Sequence, residues 1–196
     1  PFRVDTEIEL GHLSQSDLQR NGEAWEKTDG LTALVAAFLH GEALEEALES
    51  AVNGLQVTLG GDRVMILLAD REKKMLEVKA STGYAEDVTS LQFAIGSGVT
   101  GWVAAHKRPL RVRDVSEDPR YVQISSNTRS ELSIPLIYRN ELLGVLNVES
   151  EQVDAYTEND EEMLGTLGGS LAAIIANARL LEQIRVQAER ERLIYE

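Results

Sequence analysis

Apolar residues recur at helical spacing towards both ends of the chain. In the first part, the spacing predicts a short helix over 31–39, ended by His40-Gly41, and a second helix whose apolar face runs from Leu44 to Leu59. Near the other end, apolar residues step by three and four, which predicts a helix from about 158 past 190. Such a helix is longer than one small domain covers, so we expect its end to meet another chain or domain. Its predicted heptad seam consists of Leu164, Leu167, Leu171, Ile174, Ala178 and Leu181.

The segments between these helices have the patterns of β-strands. Residues 63–69 are almost continuously apolar, which predicts a central strand, and residues 76–80 alternate like a half-exposed return strand. A third strand is predicted over 91–95, and the segment 132–137 is expected to pair with 143–148 across a short turn. Because Pro135 cannot donate to a sheet ladder, we expect a bulge or an unpaired position there. Together these elements predict an α+β fold with an antiparallel sheet.

Three glycines at 96, 98 and 101 precede a short apolar helical pattern. Their spacing is that of a dinucleotide-binding turn, but Pro109 ends the helix too early for a parallel crossover. We therefore expect a strand, a tight turn and a short helix. The following segment, 114–127, is polar and irregular. A connection of that length in a compact domain is usually functional, so we expect a ligand to bind near it.

The composition is that of a globular protein, with 196 residues of which 43% are hydrophobic and 27% charged. A formal net charge of −14 disfavours nucleic acid and anionic lipid, and no apolar run approaches the roughly 20 residues of a membrane span. We therefore expect no nucleic-acid partner, no membrane contact and a cytoplasmic location. The absence of cysteine removes disulfides, thiolate chemistry and cysteine-held metal centres. Since the chain begins at Pro1 and stops at Glu196 within a helical pattern, we expect a piece of a longer protein.

Six stretches of the chain form a recognisable set by their order and spacing. They are Gly96-Ser-Gly-Val-Thr-Gly-Trp-Val103, Arg108-Pro-Leu-Arg-Val-Arg-Asp-Val115, Asp118-Pro-Arg-Tyr121, Arg129-Ser-Glu-Leu-Ser-Ile-Pro-Leu136, Gly144-Val-Leu-Asn-Val-Glu-Ser150 and Tyr156-Thr-Glu-Asn-Asp160. Together they resemble the GAF domain, a small-molecule sensory module of bacterial kinases, cyclases, phosphatases and transcription activators. The resemblance covers residues 31–182, which leaves an N-terminal helical extension at 1–30 and the start of a helical linker to a following module at 183–196.

The resemblance implies a GAF-like antiparallel sheet of five to six strands, with helices on one face and loops plus a short helix over the other. Long N- and C-terminal helices are implied as well. In GAF domains the second face and its loops close over a small molecule. The resemblance implies a pocket wall made of Phe93, Ile95, Val99, Trp102, Val103, Val112, Tyr121, Ile124, Glu131 and Ser133. Core packing explains the apolar residues of this wall equally well. Glu131 and Ser133 are polar and share the strand face opposite Leu132 and Ile134.

Free methionine sulfoxide reductases belong to the same superfamily, and the chain resembles their substrate-binding segments. Their acidic substrate contacts would fall on Glu131, Asn147 and Glu149, of which one is an amide here. Their reducing cysteine would fall near Ile124, and the chain has no cysteine. Since that chemistry needs a thiolate, we expect that the chain is not an enzyme, although a protein containing it could carry an enzymatic output domain.

Two further functions known in the family are less well supported by the residues. Cyclic-nucleotide-binding GAF domains carry an Asn-Lys pair where this chain has Ser150 and Glu151, and Asp160 is explained by a helix-capping pattern with Thr157. A haem or metal ligand would have to be His106, and the residue type and position favour a solvated or helix-capping histidine over a ligand. We therefore expect no metal and no cofactor.

The sequence leads to a hypothesis of a non-catalytic sensory module of a bacterial signal-transduction protein, for example a two-component system. It would bind an unknown small molecule, form a homodimer through coiled-coil terminal helices, and act on a covalently linked output or second sensory domain. The alternative is a ligand-free module that only dimerises and spaces its neighbours, and cyclic-nucleotide binding is the less favoured third possibility.

Overall fold

The computed structural model describes residues 44–194, and the predicted helix over 31–39 and the extension at 1–30 lie outside that range. The described part contains three helices and six strands. In chain order they are α1 (Leu44–Leu59), β1 (Arg63–Asp70), β2 (Met75–Thr82), β3 (Gln92–Ala94), α2 (Gly98–His106), β4 (Leu110–Val112), β5 (Ser130–Tyr138), β6 (Glu141–Ser150) and α3 (Glu158–Ile194).

The six strands form one sheet in the order β3-β2-β1-β6-β5-β4, and all of its pairs are antiparallel. The continuously apolar β1 lies inside the sheet between β2 and β6, as its pattern predicts. The pairing of β5 with β6 is confirmed, and its register shifts between Leu136 and Ile137, one residue beyond Pro135. The proline is thus accommodated next to a bulge.

Helices α1 and α3 cover one face of the sheet. They meet alternate residues of the central strands, such as Ile66 on β1, Ile134 on β5 and Leu146 on β6, in one buried core. The other face carries Met65, Leu67 and Val145, which pack beneath the short helix α2. The expected α+β architecture is therefore confirmed, and the sheet separates a helical side from a side of loops with one short helix.

The glycine run holds α2 close against β3. Gly98 has a φ of +73°, which non-glycine residues rarely adopt. At Gly101 a Cβ would lie 2.4 Å from the carbonyl oxygen of Ala94, so helix and strand can approach this closely only if the residue is glycine. The short helix then ends at Lys107, which has left-handed backbone geometry.

Helix α3 begins with the predicted capping box. The Thr157 amide donates to the Asp160 carboxylate at 2.8 Å, and the Asp160 amide donates to the Thr157 hydroxyl at 3.3 Å. The face that meets the sheet consists of Leu164, Gly168, Leu171, Ala172 and Ile175. Two members of the predicted dimer seam, Leu164 and Leu171, are thus buried in the core of their own domain, which corrects that assignment.

The remaining seam residues lie along the edge of this buried face or beyond it. Leu167 and Ile174 are half-buried beside the core, Ala178 is half-buried, and Leu181 is 55% exposed. From Leu180 to Glu191 every residue is exposed, so this part of α3 stands clear of the described domain. These four positions remain a prediction for a dimer contact.

Helix α3 is also long and apolar enough to cross a membrane by length and composition alone. Within Glu158–Glu191, one window of 18 residues has a mean hydropathy of 1.4, and 28% of that window is buried. This corrects the expectation that no apolar run reaches that length. The finding is weak evidence for a membrane span, because core helices of soluble proteins pass the same test.

Candidate ligand-binding site

Four polar side chains lie together on the α2 side of the sheet. Alternation along β5 and β6 places Glu131 opposite Glu149 and Ser133 opposite Asn147 in the strand register. Their exposed fractions are 4% for Glu131, 0% for Ser133, and 1% each for Asn147 and Glu149. A sheet face that is otherwise apolar therefore contains two buried carboxyl groups.

Glu149 is well supplied with hydrogen-bond donors. The Tyr84 hydroxyl donates to its Oε1 at 3.0 Å, and the Thr128 hydroxyl donates to its Oε2 at 2.5 Å. The Asn147 amide also donates to Oε1 at 3.4 Å. Because these groups satisfy both oxygens, Glu149 is a fixed part of the site.

Glu131 has weaker partners. The Ser133 hydroxyl lies 3.4 Å from its Oε1, but that hydroxyl also makes a very short hydrogen bond to Oδ1 of Asn147. A hydroxyl has a single proton to donate, and the shorter contact with Asn147 takes it. The Asn147 side chain also acts on Glu131 through a hydrogen bond that opposes the rise of its pKa. Among the described residues no hydrogen bond reaches its Oε2, so Glu131 keeps unused acceptor capacity although it is almost fully buried.

Burial raises the pKa of both carboxyl groups. For Glu131 the pKa lies well above the ordinary value, first because of desolvation and then because of the negative charge of Glu149. For Glu149 desolvation also raises the pKa, but hydrogen bonds from Thr128 and Tyr84 and the charge of Arg63 oppose the shift. The pair therefore favours one proton, or a cation, between its members.

Arg63 is a buried cation at the side of this pair. It lies opposite Glu149 in the register of β1 and β6, and its Nη2 donates to Glu151 at 2.5 Å. Its Nη1 is buried without a hydrogen-bond partner. Since Glu151 already holds the guanidinium, Arg63 moderates the charge of Glu149 without forming an ion pair with it.

Two spaces adjoin the polar residues. The inner cavity has a volume of about 10 Å³ and is lined by Glu131, Asn147, Glu149, the first turn of α2 and three apolar side chains. The outer cleft has a volume of about 520 Å³ and lies between residues 84–91 and residues 122–126. The apolar side chains Phe93, Val122 and Ile124 line both spaces, and we call them the neck.

Only part of the predicted pocket wall lines these spaces. Phe93, Val99, Ile124 and Glu131 do so. Ser133 lines neither space, but its hydroxyl donates a hydrogen bond to Asn147, which lines the inner cavity. The other predicted residues belong to the packing around α2, with Val103 in one cluster beside Ile95 and Trp102, and with Val112 in a second cluster beside Tyr121.

Several residues of the site lie outside the predicted pocket wall. The resemblance to the reductases had pointed to Asn147 and Glu149, and both also interrupt the apolar run of β6. Tyr84 and Thr128 carried no such signal, because they lie in connections and reach Glu149 only through tertiary contacts. The predicted connection 114–127 does contribute to the site, through residues 122–126.

Residues that a haem, a metal ion or a cyclic nucleotide would need are engaged in structural contacts. The His106 ring stacks on Trp102 with ring centres 4.2 Å apart, and its Nδ1 lies 2.8 Å from the Trp102 carbonyl oxygen. Within residues 44–194 no group of three potential ligands could hold a metal ion. Glu151 pairs with Arg63 and Asp160 caps α3, so both acidic residues have structural roles.

The chain belongs to the GAF family. The family model described as GAF domain matches residues 41–176, which is more than half of the chain. The GAF domain of a phosphoenolpyruvate-protein phosphotransferase from Acinetobacter has a similar structure, with a TM-score of 0.69 and 25% identity over 80% of this chain and 97% of that one. GAF domains are found in signal-transduction proteins and are typically soluble cytoplasmic modules.

Two curated proteins of Escherichia coli show related sequences. A protein of the phosphoenolpyruvate-dependent phosphotransferase system is 27% identical over 155 residues, which are 76% of this chain and 21% of that protein. Free methionine-R-sulfoxide reductase is 27% identical over 89 residues, which are 45% of this chain and 54% of the reductase. This chain therefore matches only about half of one relative and a fifth of the other.

The second relative overturns the expectation that the chain is not an enzyme. Free methionine-R-sulfoxide reductase is an enzyme, and it stands among the related sequences at low identity. Membership of the GAF family therefore does not exclude catalysis. The lack of cysteine excludes thiol chemistry, but it does not exclude catalysis in general.

Proposed function

We propose that this GAF domain is a regulatory module that binds a small amino compound at Glu131 and passes the binding event through its terminal helices to a linked domain. The observation that carries the proposal is a nearly fully buried carboxyl group, Glu131, with unused acceptor capacity beside a second carboxyl group. An ammonium group between them would supply both the missing charge and the missing donors.

The opposite wall of the inner cavity favours a negative group on the same ligand. The first turn of α2, formed by Gly98, Val99 and Thr100, lines the cavity. Ser97 at the N-cap makes no side-chain capping bond, so the amides of this turn lack their usual acceptor. A carboxylate would bind there, in the field of the helix dipole. A zwitterionic head group, as in an α-amino acid, fits both walls.

Transmission is proposed to run through a homodimer. The half-buried Leu167 and Ile174 and the exposed Leu181 recur every seven residues, as in a coiled coil, and the exposed Ile184 follows three residues later. A second copy of the chain would cover this seam. Ligand binding would then bias the packing of the paired helices by its different affinity for two dimer states.

A ligand-free spacer is the second candidate, and the small inner cavity favours it. A volume of about 10 Å³ shows that the domain's own side chains fill most of the site. The two functions predict different results for stripped protein, from which any bound ligand has been removed. A regulatory module binds amino acids in that state, whereas a spacer does not.

The test is calorimetric titration of stripped protein with a panel of α-amino acids, beside the variants Glu131→Gln and Glu72→Gln. Glu72 is an exposed residue of the β1–β2 turn, so its variant makes the same change of charge away from the site. We expect binding by the native protein and by Glu72→Gln, and none by Glu131→Gln. Equal binding by all three proteins, or no binding by any, contradicts the proposed ligand site.

A further inference from the structure

The inner cavity is too small for a whole organic ligand. Its volume of about 10 Å³ accommodates roughly one water molecule. A head group seated at Glu131 must displace neighbouring side chains, and the rest of the ligand must lie elsewhere. The size of the cavity therefore requires a second subsite for any ligand larger than the head group.

The neck lies between the inner cavity and the outer cleft, because its three side chains line both spaces. Phe93 comes from β3, whereas Val122 and Ile124 come from the connection between β4 and β5, so the neck closes between two separate parts of the chain. A Cβ at Gly98 would lie 3.4 Å from Val122, which places this connection directly over the start of α2. Three apolar side chains suit the methylene groups of an extended ligand better than a polar segment.

The outer cleft has the size of a small-molecule site and an acidic lining. Its volume of about 520 Å³ falls within the range typical of such sites. Glu86 and Asp87 line it, and no lysine or arginine of the described residues lines either the cleft or the inner cavity. Hydrogen bonds from Thr89 lower the pKa of Asp87, so that carboxylate stays ionised at neutral pH.

The nearest basic residue on the adjoining connection is already engaged. Arg120 donates to both carboxylate oxygens of Asp118, at 2.8 Å and 2.6 Å. Its guanidinium also lies 5.2 Å from the centre of the Trp102 ring. Its charge is therefore balanced within the connection and does not offset the acidic residues of the cleft.

From these observations we infer that the ligand is an α-amino acid with a cationic tail. Its head group binds between Glu131 and the first turn of α2, its methylene groups pass the neck, and its terminal cation lies in the outer cleft near Glu86 and Asp87. The inference rests on the proposed function and adds to it a second subsite and a requirement for charge at the far end of the ligand.

Three amino acids test this inference by calorimetry on the stripped full chain at low salt. L-lysine has the terminal cation, L-norleucine has the same four side-chain carbons without it, and N6-acetyl-L-lysine keeps the nitrogen but is neutral and longer by an acetyl group. We expect lysine to bind about three- to tenfold more tightly than the two neutral probes, since exposed ion pairs contribute modestly. The preference should shrink when the ionic strength is raised, because salt screens exposed charges.

The double variant Glu86→Gln/Asp87→Asn should remove the preference and leave norleucine binding unchanged. The matched control is Glu72→Gln/Glu162→Gln, which neutralises two exposed carboxylates outside the cleft and should keep the preference. Equal binding of lysine and norleucine by the native protein overturns the cationic tail but leaves the proposed function standing. A preference that survives in the double variant overturns the placement of the tail in the cleft. Failure of every probe to bind refutes both proposals.

Discussion

Glu131 and Glu149 lie directly opposite each other on neighbouring antiparallel strands, and both are at least 96% buried. Like charges in this arrangement are normally avoided, because each desolvated carboxylate raises the cost of ionising the other. The two residues differ in their partners, since Tyr84, Thr128 and Asn147 donate to Glu149 while Glu131 has only weak contacts. Of the two carboxylates, Glu131 is therefore the one whose negative charge is less well stabilised in the ligand-free domain.

The stability of the ligand-free domain should fall as the pH rises. Burial raises the pKa of Glu131 above its value in the unfolded chain. The protonated group therefore supports the fold below the unfolded pKa, and this contribution is lost as the pH rises through the folded pKa. We expect Glu131→Gln to exceed the native protein in stability by about 1–3 kcal/mol at pH 8 and by less at pH 5, which is closer to the unfolded pKa.

Urea unfolding of both proteins at pH 5 and pH 8 measures this difference. Glu72→Gln serves as the control for a change of net charge and should follow the native protein at both values. A difference between the native protein and Glu131→Gln that does not change with pH would show that Glu131 is not the titrating group.

Removing the Tyr84 hydroxyl should weaken the polar site. In Tyr84→Phe the Oε1 atom of Glu149 keeps only the longer bond from Asn147. We expect a loss of about 1–2 kcal/mol in the free energy of unfolding. The control is Tyr138→Phe, for which no hydroxyl hydrogen bond exists among the described residues and which should change stability little. Equal losses for the two variants would show that the hydroxyl of Tyr84 contributes nothing specific.

Alanine substitutions at two glycines distinguish the effect of close packing on stability from the effect of helix propensity. Gly101→Ala should destabilise the domain by about 1–3 kcal/mol, because its Cβ would lie 2.4 Å from the Ala94 carbonyl oxygen and must force α2 away from β3. Gly165 lies within α3 with no atom within 4 Å of the corresponding Cβ. Gly165→Ala should therefore stabilise by about 0.5–1 kcal/mol. Thermal unfolding of both variants tests the contrast, and a Gly101→Ala variant as stable as the native protein would contradict the described packing of α2 against β3.

The dimer proposal distinguishes two faces of α3. Leu181→Asp/Ile184→Asp should convert a dimer into a folded monomer, because both side chains are exposed and belong to the seam proposed above. Val186→Asp alters an exposed apolar residue on a different side of the same helix and should leave the dimer intact. Light scattering after gel filtration gives the masses, and a dimer that persists in the double variant would rule out this seam.

The buried face of α3 gives the complementary result. Leu171 packs in the core, so Leu171→Ala should cost about 2–5 kcal/mol in stability without changing the oligomeric state. Chemical unfolding and light scattering of the same preparation measure the two effects. Dissociation without loss of stability would instead place Leu171 in the interface, as the heptad pattern alone suggested.

Within residues 44–194, periodicity predicted the central strands and the helices α1 and α3, because each covered face leaves its own repeat in the sequence. The central position of β1 and the opposite faces of Leu132 and Glu131 followed from such patterns. Periodicity does not identify what covers a face, which is why Leu164 and Leu171 were assigned to a second chain although their own sheet covers them. The spacing of apolar residues by three and four thus predicted the helix α3 correctly, but it also led to the wrong assignment of Leu164 and Leu171 to a dimer contact.

The candidate site was less predictable, because it is assembled from residues far apart in the chain. Tyr84 and Glu149 are 65 residues apart and meet only after the sheet has formed. The apolar residues around α2 were indistinguishable in the sequence from pocket residues, and most of them, such as Val103, proved to be core. Polar residues within apolar strands were the more reliable signal, since burying them requires a partner.

The most direct test of the central claim is native mass spectrometry of stripped protein incubated with an amino-acid mixture, beside Glu131→Gln treated identically. The account predicts a protein with an added mass of one amino acid per chain, lost on denaturation and absent from Glu131→Gln. A native protein without added mass, or an equal addition to both proteins, would contradict binding at Glu131. In that case the domain would be better described as a spacer filled by its own side chains.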